Sequence, residues 1–126
     1  MSGDMGGGPV KRPRRLERAR VAPGPLRELK DLLYGAYVAA GCPSLDEITV
    51  AVAADDALPG APSRDTIRRC ISAPDIPASQ ADAVSVAVVL ARRASWDADD
   101  LEARVRDRWI QAHTAIPPGK AGRRVH

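Results

Sequence analysis

Residues 62–72 read Pro62-Ser63-Arg64-Asp65-Thr66-Ile67-Arg68-Arg69-Cys70-Ile71-Ser72. Ile67, Cys70 and Ile71 fall on one face of a helix at this spacing, while Arg64, Thr66 and Arg68 point elsewhere. A serine just before such a run accepts from an otherwise unpaired N–H of the first turn, so Ser63 is expected to be the N-cap. The segment Ala73-Pro74-Asp75-Ile76-Pro77 ends the helix, because prolines cannot continue it. Cys70, on the apolar face, reads as core.

Working outward, the preceding stretch Ser44-Leu45-Asp46-Glu47 has the form of a capping box. A second helix is predicted from about Leu45 to Asp55, with Leu45, Ile48 and Val52 as its stripe. Leu58-Pro59-Gly60-Ala61-Pro62 stops it. Thr49-Val50-Ala51-Val52 has β-type composition but follows the box and is read as helix. A first helix is expected from about Leu26 to Ala40, with Leu26, Leu29, Leu33, Ala36, Tyr37 and Ala40 on one face. Pro25 suits its first position, and Gly41 followed by Pro43 closes it. Downstream, Ser79 caps a fourth helix reaching about Arg93. Val84, Val86, Ala87, Val88, Val89 and Leu90 leave it almost no polar face, which marks a buried, central helix. Asp97 caps a fifth, to about Ala115, carrying Leu101, Val105, Trp109 and Ala112. Asp99, Asp100 and Glu102 sit in its first turn, where the helix dipole favours negative charge. The fold class is therefore all-α, with five short helices.

The chain has 126 residues, 19 Lys+Arg and 16 Asp+Glu, for a net charge of +3. Arg outnumbers Lys 16 to 3 and Ala occurs 22 times, the bias of a GC-rich bacterial gene. Charge is unevenly placed. Residues 1–25 hold six basic and two acidic side chains, residues 116–126 three basic ones, and residues 26–115 ten basic and fourteen acidic. The glycine- and proline-rich ends cannot bury enough apolar surface to order themselves. The division is thus a disordered basic arm (1–25), a helical domain (26–115) and a disordered basic tail (116–126). Leu16 to Val21 could form a transient helical turn.

No apolar run is long enough to span a membrane, and the N-terminus lacks the apolar stretch of a secretory signal. Two cysteines, Cys42 and Cys70, are too few for a disulfide framework or a zinc site. They read as reduced thiols in a cytoplasmic protein. Cys42 borders a turn and is a weak candidate for a reactive thiol.

The helix order resembles the lambda-repressor-like (XRE-type) helix-turn-helix domain, in a divergent actinobacterial version. The likeness rests on Leu26-Arg27-Glu28-Leu29, Ser44-Leu45-Asp46-Glu47-Ile48, Pro62-Ser63-Arg64-Asp65-Thr66-Ile67-Arg68-Arg69, Pro77-Ala78-Ser79-Gln80-Ala81-Asp82-Ala83-Val84 and Trp96-Asp97. It covers about residues 26 to 115. It implies that the third helix enters the DNA major groove, with Ser63, Arg64, Thr66, Arg68 and Arg69 as contacts. Arginine pairs with guanine edges or phosphates, and a helix N-terminus favours phosphate. Lys11, Arg12, Arg14 and Arg15 would form a backbone-binding arm whose affinity depends on salt.

Each feature also has a plainer reading. Arg68 or Arg69 could pair with Asp65 on a solvated helix face, and the arm could be a solvated linker or lie on the acidic body. Asp97, Asp99 and Asp100 lack the spacing of a calcium loop. His113 and His126 are isolated, and Gly6-Gly7-Gly8 is no phosphate cradle. No catalytic residue, metal site or cofactor is expected, and the chain is not read as an enzyme. Trp96 and Trp109 are expected to anchor the fifth helix, while an exposed Trp96 would suggest a partner surface.

The leading expectation is a regulatory duplex-DNA-binding protein, nucleoid-associated within the cytoplasm. It would need a homodimer or a second site for specificity. The fifth helix, where Arg104, Arg106 and Arg108 interleave with apolar positions, is the candidate dimer surface. The alternative is a protein-interaction or adaptor domain, for instance in a signalling or defence system, which the acidic body favours. The DNA reading requires the helix beginning after Ser63 to lie at the exterior, with guanidinium groups outward and not all neutralised by carboxylates.

Overall fold

The computed structural model describes residues 15–115. Five helices follow one another: α1 (Pro25–Ala39), α2 (Leu45–Ala53), α3 (Arg64–Ser72), α4 (Gln80–Arg93) and α5 (Ala98–Thr114). No strand occurs among the described residues. The expected caps are in place. Ser44, Ser63, Ser79 and Asp97 accept from the backbone N–H groups of Glu47, Thr66, Asp82 and Asp100, respectively. The capping box at α2 is half formed, because the Glu47 carboxylate turns to Arg93, 3.3 Å away.

Helix ends are equally readable. After α1 the N–H groups of Gly41 and Cys42 donate to the carbonyls of Val38 and Tyr37. This Schellman closure requires a left-handed residue, and Gly41 supplies it with φ +90°. α4 closes in the same way through Ser95 and Trp96, and there Ser95 takes the left-handed position at φ +61°.

Helix α4 is the centre of the molecule. Residues Ala83 to Ala91 are all buried, and α4 packs against each of the other four helices. α2 and α3 pack on each other on one side, and α5 lies against α1 and α4 on another. The core combines Leu29, Leu33 and Tyr37 of α1 with Ile48 and Val52 of α2, Ile67 and Ile71 of α3, and Leu101 and Val105 of α5. Burying each Leu or Ile contributes roughly 1.5–3 kcal/mol, so an Ala- and Val-rich α4 needs such partners on every side.

The connection from Ala54 to Ser63 is long but fixed. Asp55 accepts from the N–H of Ala57 and pairs with Arg92 at 2.7 Å. The Gly60 N–H donates to the Ser85 hydroxyl at 2.9 Å, and that hydroxyl donates back to the Gly60 carbonyl at 2.8 Å. Ser85 is fully buried, so this reciprocal pair satisfies an α4 polar group inside the core. A Cβ at Gly60 would meet the Asp82 carboxylate and come within 2.9 Å of the backbone of Ala81 and Asp82. Only glycine fits there.

Residues 15–24, counted above with the disordered arm, lie against the body in a non-helical path. Leu16 packs on the core, and two tyrosines of α1 hold its backbone. Leu16 is one of the few large apolar side chains in the basic run, and its burial gives the segment something to dock with. The remainder of the arm and the tail fall outside the described residues.

Candidate functional site

Helix α3 lies at the surface, with Ile67, Cys70 and Ile71 inward and Arg64, Asp65, Arg68 and Arg69 exposed. Its arginines are not free. Arg64 pairs with Asp46 of α2 at 3.0 Å, Arg68 with Asp65 at 2.7 Å and Arg69 with Asp75 at 3.6 Å. The Arg68 guanidinium, through its hydrogen bond, holds the Asp65 carboxyl below its usual range. The exterior orientation required for DNA contact is present, but the second requirement is not met: each of the three arginines faces a carboxylate, and α3 counted together with Asp46 and Asp75 brings no net positive charge. All three pairs are largely exposed, and such pairs are worth about 0–1 kcal/mol and are screened by salt.

Other expected contacts also have local roles. The Ser63 hydroxyl accepts from the Thr66 N–H and donates to the Thr66 hydroxyl at 3.0 Å. Thr66 and Arg69 line a depression shared with Asp65, Asp75 and Asp82, on the opposite flank of α3 from Arg64 and Arg68. Of the arm residues, Arg15 is described, and Lys11, Arg12 and Arg14 lie outside the described residues.

Positive charge converges where α3 meets the docked segment. A groove of about 740 Å³ runs between residues 15–20 on one side and, on the other, the N-terminal end of α2 and the length of α3 from Arg64 to Ser72. Arg15, Arg18 and Arg20 line one side, and Arg64 and Arg68 the other, with Glu17 and Asp46 as its acidic members. Leu16, Leu45 and Pro74 give it an apolar component. Across residues 15–115 there are thirteen basic and fifteen acidic side chains, so this groove is a basic patch on an acidic body.

The docked segment is held by named contacts. The Leu16 N–H donates to the Tyr37 hydroxyl at 2.8 Å, and the Tyr34 hydroxyl donates to the Leu16 carbonyl at 3.2 Å. Arg18 pairs with Asp31 at 2.6 Å and lies over the Tyr34 ring, 4.9 Å from its centroid. The Ser72 hydroxyl of α3 donates to the Glu17 carbonyl at 2.7 Å. Tyr37 is buried, and burial pushes its phenol above the usual range.

Lys30 is the least expected member of this region. It is 1% exposed, and its ammonium donates to the carbonyls of Arg69 and Cys70 at 3.0 and 2.9 Å. These are among the last carbonyls of α3, acceptors that a helix end leaves open. Burial lowers the Lys30 pKa to about 8, against the pull of Cys70 and Asp75. Burial likewise pushes the Cys70 thiol up to about 11, consistent with a core residue. A sequence signal for Lys30 existed, because it falls within the arc of Leu26, Leu29, Leu33 and Tyr37. Arg18 and Arg20 were missed because the segment carrying them reads as a free tail.

A second groove, of about 600 Å³, runs between α1 and α5. Leu32, Gly35, Ala103 and Trp96 are its apolar members and Glu28, Asp31, Arg104, Asp107 and Arg108 its charged ones. Trp96, expected to be an anchor, is 45% exposed, because the left-handed turn at Ser95 carries the chain away from the core. Trp109 does anchor α5, since its indole N–H donates to the Pro77 carbonyl at 2.9 Å. His113 stacks on Trp109. No cluster of three metal-ligating side chains occurs among the described residues, and none of their helices is long and apolar enough to cross a membrane.

No family model, no curated protein and no solved structure matches this chain.

Proposed function

We propose that the chain is a duplex-DNA-binding protein of the lambda-repressor-like helix-turn-helix type, acting in transcription regulation. The observation that carries this reading is the convergence of Arg15, Arg18, Arg20, Arg64 and Arg68 on one groove of an otherwise acidic body. The α2–α3 pair would be the helix-turn-helix, with its long connection pinned by Gly60 and Ser85. Phosphates compete with exposed carboxylates for guanidinium groups, and binding gains further from counterion release. Arg64, Arg68 and Arg18 thus exchange a weak carboxylate partner for a phosphate or a base edge, while Arg15 and Arg20 add further positive charge to the groove. Lys11, Arg12 and Arg14 would extend the arm. One short helix offers few base contacts, so a second copy or a second site supplies the rest of the specificity.

The test is retention of a labelled genomic DNA pool, with affinity falling steeply as salt rises. Arg64→Ala with Arg68→Ala is expected to abolish sequence preference, and unchanged selection by that double variant removes α3 from the role.

A second reading, a protein-interaction domain without DNA binding, is favoured by the carboxylate facing each α3 arginine and by exposed Trp96 beside the α1–α5 groove. It predicts a specific protein partner that survives nuclease treatment and is lost on Trp96→Ala. Strong DNA retention with no such partner counts against it.

A further inference from the structure

We infer that Tyr34 and Tyr37 are positioning residues that clasp the arm, turning residues 15–20 into a preset wall of the groove, so that it grips the phosphodiester backbone of duplex DNA from two sides. This deepens the DNA-binding reading and rests on it.

The grip acts on the backbone of a single residue. Tyr37 accepts the Leu16 N–H and Tyr34 donates to the Leu16 carbonyl, so both main-chain groups of Leu16 are satisfied from one helix. A segment with neither helix nor strand has no other regular partners for these groups. Fixing both at once sets the rotation of the chain about its own axis, as well as its position. The apolar side chain of Leu16 then packs on the core. Ser72 of α3 takes the next carbonyl, that of Glu17, and so ties the arm to the opposite wall. Arg18 is fixed by Asp31 and by the Tyr34 ring. The three arginines of the arm therefore stand opposite Arg64 and Arg68 before any ligand arrives.

That preorganisation is what a free basic tail lacks. A disordered segment must be ordered when it binds, and this cost reduces its affinity. The groove's lining also selects among nucleic acids. Among the described residues no aromatic ring lines it, whereas proteins that hold single strands stack bases on aromatic side chains. Guanidinium groups on two walls without a stacking platform suit the backbone of a duplex.

The test uses the full chain, with Tyr34→Phe and Tyr37→Phe combined. Three quantities are read: the helical circular dichroism, the rate of tryptic cleavage within residues 15–20, and the affinity for a mixed-sequence duplex across a salt series. The helical signal is expected to persist while cleavage accelerates about tenfold or more, as an arm released from the body becomes accessible. Duplex affinity is expected to fall about tenfold, and the slope of log affinity against log salt to shrink by about 2, the loss of two phosphate contacts. Should the double variant unfold, Tyr34→Phe alone removes the half-buried donor to Leu16, with an expected loss of about threefold and the same direction of slope change.

Faster cleavage with unchanged affinity and slope overturns the wall while leaving DNA binding by α3 standing. Unchanged cleavage overturns the clasp. Equal affinity for single strands overturns the duplex assignment. Failure of the wild-type chain to hold any duplex removes the DNA reading and this inference with it, even where the cleavage result shows that the tyrosines hold the arm.

Discussion

Helices α3 and α5 each carry three arginines, and they are not equivalent surfaces. On α5, Arg104 pairs with Asp100 and Arg106 with Glu102, one turn earlier on the same helix, while Arg108 meets Glu28 of α1 and Asp107. On α3, Arg64 and Arg69 reach carboxylates outside the helix, and Arg68 uses Asp65. Every arginine on both helices thus faces a carboxylate, although by its own residues α3 carries a net charge of +2 and α5 of −1. They differ in what lies alongside. α5 has α1 beside it with Glu28 and Asp31, and the groove between them holds Trp96. α3 has the docked segment beside it with Arg15, Arg18 and Arg20. A helix's content of arginine therefore says little about its field, which is decided by the neighbouring stretch of chain.

The largest expected effect concerns the anchor that α3 has and α5 lacks. Lys30 titrates at about 8 in the folded protein against an ordinary value of 10.5. Between those values the unfolded chain holds the proton more tightly. Lys30 thus contributes stability that is present above 10.5 and lost as pH falls through 8, about 3 kcal/mol in full. Lys30→Met should remove this rise, read by urea unfolding at both ends of the window. Cys70 works in the opposite direction, because its thiol is pushed up to about 11. The difference between wild type and variant, rather than either curve, carries the effect. Identical pH profiles would show that the ammonium is not buried at the end of α3.

Next comes charge itself. Replacing Arg15, Arg18 and Arg20 with alanine should weaken duplex binding about 30-fold and flatten the salt slope by 2 to 3, roughly one contact per arginine. The matching α5 triple, Arg104, Arg106 and Arg108 to alanine, should leave affinity within about twofold, since those arginines lie among Asp100, Glu102, Asp107 and Glu28 rather than in the basic groove. Equal losses in fluorescence polarisation would erase the distinction between the two helices.

Capping sharpens it further. Ser63→Ala and Asp97→Ala should each cost about 1 kcal/mol in chemical denaturation. Only the first should also lower DNA affinity, because it loosens the first turn of α3. The smallest effect is expected from Asp65→Asn. It frees Arg68 and removes a negative charge, so duplex affinity should rise about twofold with little change in melting temperature. A fall in affinity would mean that Asp65 holds Arg68 in its working position.

Much of the architecture could be read directly from residue pattern. Four capping side chains, the Gly41 stop and the all-round apolarity of Val84–Leu90 each act within a few residues, so the sequence carries them in plain form. The groove is different in kind. Arg15 and Arg64 meet because Leu16 finds a hydrophobic seat and Tyr34 and Tyr37 happen to face it, contacts about twenty residues apart along the chain. Composition alone pointed to an unstructured tail. Pairing was partly visible: Arg68 with Asp65 follows helical spacing, whereas Arg64 with Asp46 and Arg69 with Asp75 depend on how α2 and the following turn pack. Lys30 was hidden by its residue type. A lysine reads as solvated, and only its position inside an apolar arc indicated otherwise.

The reciprocal bonding of Gly60 and Ser85 has a practical corollary for anyone who would re-engineer this chain. The ten residues joining α2 to α3 look like slack, an inviting place for a tag, a split or a new pair of ends. Threaded under α4, they behave as a keystone: a graft there would first have to prise a buried hydroxyl from both main-chain groups of one glycine.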